Sequence, residues 1–286
     1  MHFHFPYTSV QILWTLCFAS HLVLLVVLLG RERHRRFPIF SFSILLMTLR
    51  LLFEELLVGR LPVLMLQSVL ISMAAFSAIL GVAVLAEMAA RSFPGAPAKG
   101  WLIGAPATLL AAGLSLIYWG PWPKLADLAV HSRVDLLRFL QFVGQKADLL
   151  VDLLALFLLL AVVALGRRFK TGFRSHSTLI LLGIAAQGAL WLGIIAYWKV
   201  LTHSIQPGIT REEYQHILDL GQKLFTANRI AMIVGVLWWI VVLWIDEPGA
   251  PAAALSAAEQ SALPEAAVPT VAELAAPVSE AETSAE

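Results

Sequence analysis

Read from the N-terminus, the chain alternates long apolar stretches with short polar ones. A helix that crosses a bilayer needs about 20 predominantly apolar residues. Seven stretches satisfy that, over about 9–30, 37–58, 62–90, 101–120, 146–166, 176–198 and 226–246. The third is longer than the bilayer requires and is expected to tilt or protrude. The pattern predicts an all-α protein: a polytopic seven-helix transmembrane bundle over residues 1–246, then a disordered C-terminal tail over 247–286.

Composition narrows the class. Of the 286 residues 59% are apolar and 14% charged, with mean hydropathy +0.80. Ordinary soluble domains carry about 25% charged residues. So few charges could not cover so much apolar side chain in water. This excludes a secreted, cytosolic globular or nucleic-acid-binding protein. The lone Cys17 excludes an internal disulfide or a cysteine-based zinc site. The lone Asn228 is followed by Arg and Ile, so there is no N-glycosylation sequon.

The net charge of +1 hides an asymmetry. Every Lys and Arg lies at or before Arg229, and residues 246–286 carry eight acids and no base. The body is therefore +9 and the tail −8. Before the first apolar stretch stands MHFHFPYTS, without Lys or Arg, and after it RERHRR. A cleaved signal peptide has the opposite arrangement, so a retained helix is expected. Ten bases fall in three alternate short loops, after the first, third and fifth stretches. The positive-inside rule then places the N-terminus outside and the C-terminus in the cytoplasm of the bacterial inner membrane. In that orientation Trp119, Trp122 and Trp198 lie at the outer interface, and Trp101 and Trp244 at the inner one. The Ala-, Pro- and Glu-rich tail lacks aromatic residues and cannot bury a core. It reads as a solubilising segment, or as an acidic partner for the basic inner loops.

Two long outer loops carry helix-start signals. Ser132-Arg133-Val134-Asp135 resembles a capping box, and Thr210-Arg211-Glu212-Glu213 is a fuller one, preceded by Pro207-Gly208. Helices starting there run about 35 residues, or about 50 Å, and stand several turns above the bilayer. Polar residues recur along both. On the fifth helix they are Asp135, Arg138, Gln141, Gln145, Asp148 and Asp152. On the seventh they are Glu212, His216, Asp219, Lys223 and Thr226, then Arg229. Spacings of three and four put each set on one face. The second helix adds Arg50 and Glu54, with Glu55 adjacent. A charge at the bilayer centre costs about 2.5–3.5 kcal/mol, so such residues face a partner or water. Arg50, Glu54, Arg138, Asp148, Asp152, Lys223 and Arg229 are the candidate ligand-binding residues, expected to converge on an outer cleft. The competing reading is architectural: Arg50–Glu54 as a pair within its helix, and Asp148 at headgroup level. Glu87 is expected to snorkel towards the inner surface.

Other features read as packing. Small residues at Gly104, Thr108 and Ala112, at Ser77 and Gly81, and at Gly183, Gly188 and Gly193 let helices approach closely. His21 is expected to hydrogen-bond a neighbouring helix, and Gln187 to bridge helices, with a contribution to a site as the alternative. No spanning lysine is placed for a retinal Schiff base. His21 is the one histidine clearly inside a stretch, against the two that a bis-histidine haem needs. The Asp/Glu-Arg-Tyr and Asn-Pro-x-x-Tyr segments of G-protein-coupled receptors are absent, as are H-E-x-x-H, G-x-S-x-G and Walker sequences. No enzyme, no metal and no cofactor is expected.

Two segments, RERHRRFPIFSFSILLMTLRLL and SRVDLLRFLQ, together with the seven-stretch plan, resemble uncharacterised bacterial seven-helix integral membrane proteins. The likeness covers most of residues 1–246 and implies a membrane bundle, with no activity to carry over. In outline the chain also resembles seven-helix sensory modules fused to signalling enzymes. Sensing here would need a separate signalling or envelope protein. The function expected is an extracytoplasmic ligand-sensing or binding module, with the lipid bilayer and a small outer-face ligand as partners. The alternative is a small transporter or a membrane subunit or scaffold of an envelope complex. No internal repeat supports a transporter.

Overall fold

The computed structural model describes residues 8–57, 60–93, 98–119, 122, 132–165, 175–203 and 210–246. The tail, and the basic-loop residues Arg167, Arg168, Lys170 and Arg174, lie outside the described residues. All described elements are helices: α1 (Ser9–Gly30), α2 (Arg33–Arg36), α3 (Pro38–Leu57), α4 (Val63–Ser92), α5 (Ala98–Tyr118), α6 (Arg133–Leu165), α7 (His176–His203) and α8 (Arg211–Trp244). α1, α4, α6, α7 and α8 are each long and apolar enough to cross a membrane, the arrangement of a multi-pass membrane protein. Many of their large apolar side chains, among them Val26, Ile79, Leu160 and Val234, are exposed on the outside of the bundle. In water such a surface would drive association. α3 interrupts its apolar run with Arg50, Glu54 and Glu55.

The helix starts follow from local chemistry. Thr210 Oγ1 accepts the Glu213 N–H at 3.3 Å and Glu213 Oε2 accepts the Thr210 N–H at 3.0 Å, closing the predicted box. Ser132 Oγ accepts the Asp135 N–H at 3.2 Å. These caps give α6 and α8 lengths of 33 and 34 residues, as their sequence signals predict. A third box, Thr8 with Gln11, opens α1. Its Thr-x-x-Gln signature is also visible in the chain.

α1, α3, α4, α7 and α8 pack in a closed ring, each against the next. α6 packs against both α4 and α7, and α5 packs on α6. One buried core joins the five ring helices through Leu24, Phe40, Met88, Ile180 and Trp239. Phe40 and Trp239 meet edge to face with centroids 5.4 Å apart. Some glycines act as the small-residue reading expects. A methyl group on Gly81 would press on Val151, and one on Gly183 would collide with the Trp239 indole nitrogen. Gly104 and Gly193 have open space instead.

At the basic end, helix termini are held by side chains from other elements. Glu87 does not snorkel. It is 9% exposed, and its Oε2 accepts the Phe40 N–H at 2.9 Å. Phe40 sits in the first turn of α3, where N–H groups have no partner within the helix and the helix dipole favours a carboxylate. Arg91, one turn along α4, reaches Glu87 at 3.7 Å and covers the Phe37 ring. The far end of α8 is held in the same way. Arg31 donates to Trp244 O at 2.8 Å, Arg33 to Asp246 at 2.8 Å, and His176 Nε2 to Ile245 O at 3.0 Å.

Glu87→Ala removes a buried acceptor and leaves both the Phe40 amide and Arg91 without it. A loss of about 2–4 kcal/mol is expected. Glu87→Gln, which keeps an amide oxygen, is expected to lose less. Unfolding of the purified protein in mild detergent with increasing SDS checks both. Equal stability of Glu87→Ala and the wild type would remove Glu87 from the anchoring role.

Candidate functional site

The polar stripe of α6 changes character along its length. Arg138, Gln141 and Gln145 are exposed, Asp148 is still open, and Asp152 is half-buried. Leu149, Leu153 and Ala155 are buried on the packed face of the same helix. The stripe therefore leads from the protruding end of α6 into the bundle. At its inner limit Asp152 lies against α7. A methyl group on Gly188 would come within 3.0 Å of Asp152 Oδ1 and 3.3 Å of its Cα. A Cβ here would be tighter than ordinary contact, so the glycine lets α6 and α7 approach closely around the carboxylate without displacing it.

Across from the stripe stands α3, with α4 between α3 and α6 in the packing order. Arg50 Nε donates to Glu54 Oε1 at 3.0 Å within α3, as the architectural reading expects. The pair is not closed off. Arg50 also lies within electrostatic reach of Asp148, and Asp148 within reach of Asp152. Among the described residues neither aspartate has a hydrogen bond or an ion-pair contact. Arg50, Glu54, Asp148 and Asp152 thus form one group spread over α3 and α6. Arg229 of α8 and Glu54 both lie within electrostatic reach of the Cys17 thiol of α1.

Two of the seven candidates stand apart. Lys223 donates to Asp219 at 2.7 Å, one turn back on its own helix, and both side chains are more than half exposed. Arg138 is exposed on the protruding part of α6. The shared period of the two stripes supplies a common face on each helix. It does not bring those upper turns together.

Three further residues differ from their sequence reading. Glu87 is a buried cap rather than a snorkelling charge. His21 hydrogen-bonds within its own helix, Nδ1 to Cys17 O at 2.8 Å, rather than to a neighbour. Gln187 makes no hydrogen bond among the described residues, so it bridges no helices there. Its Oε1 lies 3.5 Å from where a methyl on Gly235 would stand. Among the described residues, no group of three or more His, Cys, Asp or Glu side chains could hold a metal ion.

No protein-family model, no curated protein and no solved structure matches the chain.

The contrast between the α7 glycines is testable. Gly188→Ala forces Asp152 and the α6 backbone to give way, with an expected loss of about 1–3 kcal/mol. Gly193→Ala meets open space and gains helix propensity, so a change between zero and about 1 kcal/mol of stabilisation is expected. Melting temperatures of the two variants in one detergent check the order. A Gly188→Ala protein as stable as Gly193→Ala would refute the close α6–α7 approach at Asp152.

Proposed function

We propose that the chain is a seven-spanning protein of the bacterial inner membrane, N-terminus outside and C-terminus cytoplasmic, that binds or senses a small cationic ligand from the extracytoplasmic side. α3 and α5 complete the seven spans in this reading. The charges of α3 face the cluster rather than lipid. The orientation rests on the ten bases in alternate short loops. The proposal needs no catalytic group, and a sensor of this kind passes its signal to a separate signalling or envelope protein.

The observation that carries the ligand class is the state of Asp148 and Asp152. They lie one helical turn apart, electrostatically coupled, with no direct partner. The cation that acts on Asp148, Arg50, is already hydrogen-bonded to Glu54. Two like charges at the edge of an apolar layer are costly unless a counter-charge or water meets them. An organic amine supplies that charge together with the hydrogen bonds each carboxylate lacks. The transporter and envelope-scaffold readings have no comparable observation behind them.

Two measurements test the proposal. A panel of small amines, including ethanolamine, putrescine and choline, is screened for thermal stabilisation of the purified protein. A ligand present at 100 times its dissociation constant adds about 2.7 kcal/mol to stability. At least one amine is expected to raise the melting temperature by several degrees, and Asp148→Asn/Asp152→Asn is expected to abolish the rise. No shift in the panel, or a shift that survives the double substitution, would sink the cationic ligand. Separately, Asp148→Cys and Asp152→Cys in a Cys17→Ala background are expected to react with a membrane-impermeant thiol reagent added outside. Failure of both to label, alongside a labelled His203→Cys control, closes the cleft.

A further inference from the structure

A cavity lies within the ring of helices and owes nothing to the charges of α3 and α6. It measures about 220 Å³, and α1, α3, α4, α6, α7 and α8 all contribute to its wall. Most of that wall is apolar, with Phe40, Trp239, Met47 and Met232 among the larger side chains. Four polar side chains interrupt it: His21, Ser43, Ser77 and Gln187.

His21 is the informative one. It is 2% exposed, yet half of its hydrogen-bonding capacity is unused. Its Nδ1 lies 2.8 Å from Cys17 O, and a carbonyl oxygen only accepts, so Nδ1 carries the proton. In the neutral ring Nε2 is then a bare acceptor, and it has no partner among the described residues. With Nδ1 tied back to its own helix, the Nε2 edge is the part of the ring left to face the cavity. The Ser43 hydroxyl is occupied by Phe40 O at 2.7 Å. The Ser77 hydroxyl is buried without a partner, and the partly exposed Gln187 makes no hydrogen bond among the described residues. An imidazole acceptor in the cavity wall with no partner in the chain is available to a donor carried by a molecule that fills the cavity.

Size and wall chemistry narrow that donor's carrier. Apolar cavities of roughly 150 Å³ hold benzene. This one has room for a single ring with a short substituent. Aromatic edges and thioether sulfurs suit an aromatic ring. Gln187 lines a second, open groove between α7 and α8, bordered by Gly183, Ala186, Ala231 and Gly235. These small residues leave the groove shallow-walled on the outer side of the bundle, where lipid would lie. Gln187 alone belongs to the walls of both this groove's floor and the cavity's α7 side.

We propose that the axial cavity is a binding site for a small phenol-type molecule, which enters sideways from the bilayer through the α7–α8 groove and donates its hydroxyl to His21 Nε2. The site is independent of Asp148 and Asp152, and it stands or falls separately from the amine site.

The test uses the full chain in lipid nanodiscs and two probes that differ in one donor. 4-Ethylphenol carries the hydroxyl, and 4-ethylanisole carries a methyl ether in its place. Thermal shifts are compared at matched mole fractions in the bilayer. 4-Ethylphenol is expected to bind the wild type about 5–10-fold more tightly than the ether, the margin of one neutral hydrogen bond. His21→Phe, which keeps a ring and loses the acceptor, is expected to bring the two probes level. Ser43→Leu, which fills the cavity from α3, is expected to abolish binding of both, and it decides the matter if His21→Phe does not fold. Equal binding of the two probes to the wild type, absence of any shift, or binding undiminished by Ser43→Leu would each overturn the site. An Asp148→Asn control is expected to leave the phenol response unchanged.

Discussion

A backbone N–H or C=O left without a partner in hydrocarbon costs several kcal/mol, and the architecture is organised around that penalty. Inside a helix the penalty is met automatically. At helix ends it is not, and here other helices meet it. The Glu87 carboxylate of α4 accepts the Phe40 N–H in the first turn of α3, while Arg31, Arg33 and His176 bind the final turn of α8 and the residues just beyond it. These contacts join α1, α3, α4, α7 and α8 at one end of the bundle, the helices that close the ring. Apolar packing alone gives lipid-facing helices little reason to prefer one neighbour to another, because lipid tails are as apolar as leucine side chains. Directional contacts at the helix ends supply that preference.

Glu87 has a second consequence. Its negative charge is shared between the α3 terminus and Arg91, which in turn lies 5.0 Å above the Phe37 ring. Phe37 is wholly buried beneath two cations, Arg36 and Arg91. The basic residues that read from sequence as orientation signals are thus also structural. Arg31 shows the same double use, donating to Trp244 O and lying over the Trp244 ring. Charge that faces the surface on one side completes a helix end on the other.

The two polar regions of the bundle differ in physics as well as place. In the group on α3 and α6 the side chains are ionisable and partly exposed, and their proximity to one another sets the chemistry. In the wall of the axial cavity the polar groups are uncharged and few, and each hydrogen-bonding atom counts for more where water is scarce.

Much of this protein is written in order along the chain. Apolar runs of about 20 residues and the Ser132 and Thr210 caps locate the helices to within a few residues, because helix length and capping depend on neighbours in sequence. The polar stripes of α6 and α8 are legible for the same reason: a period of three or four fixes a face. Which faces meet is another matter. Lys223 closes on Asp219 in its own helix while Asp148 comes within reach of Arg50, and no periodicity separates those outcomes. Glu87 reads as a snorkelling charge because its partner, the Phe40 amide, lies 47 residues away on another helix. The unused Nε2 of His21 is invisible for a related reason. A histidine in an apolar stretch becomes an open acceptor only when its other nitrogen is bound and a cavity forms beside it, and ring closure by helices distant in sequence decides both the cavity and what lines it.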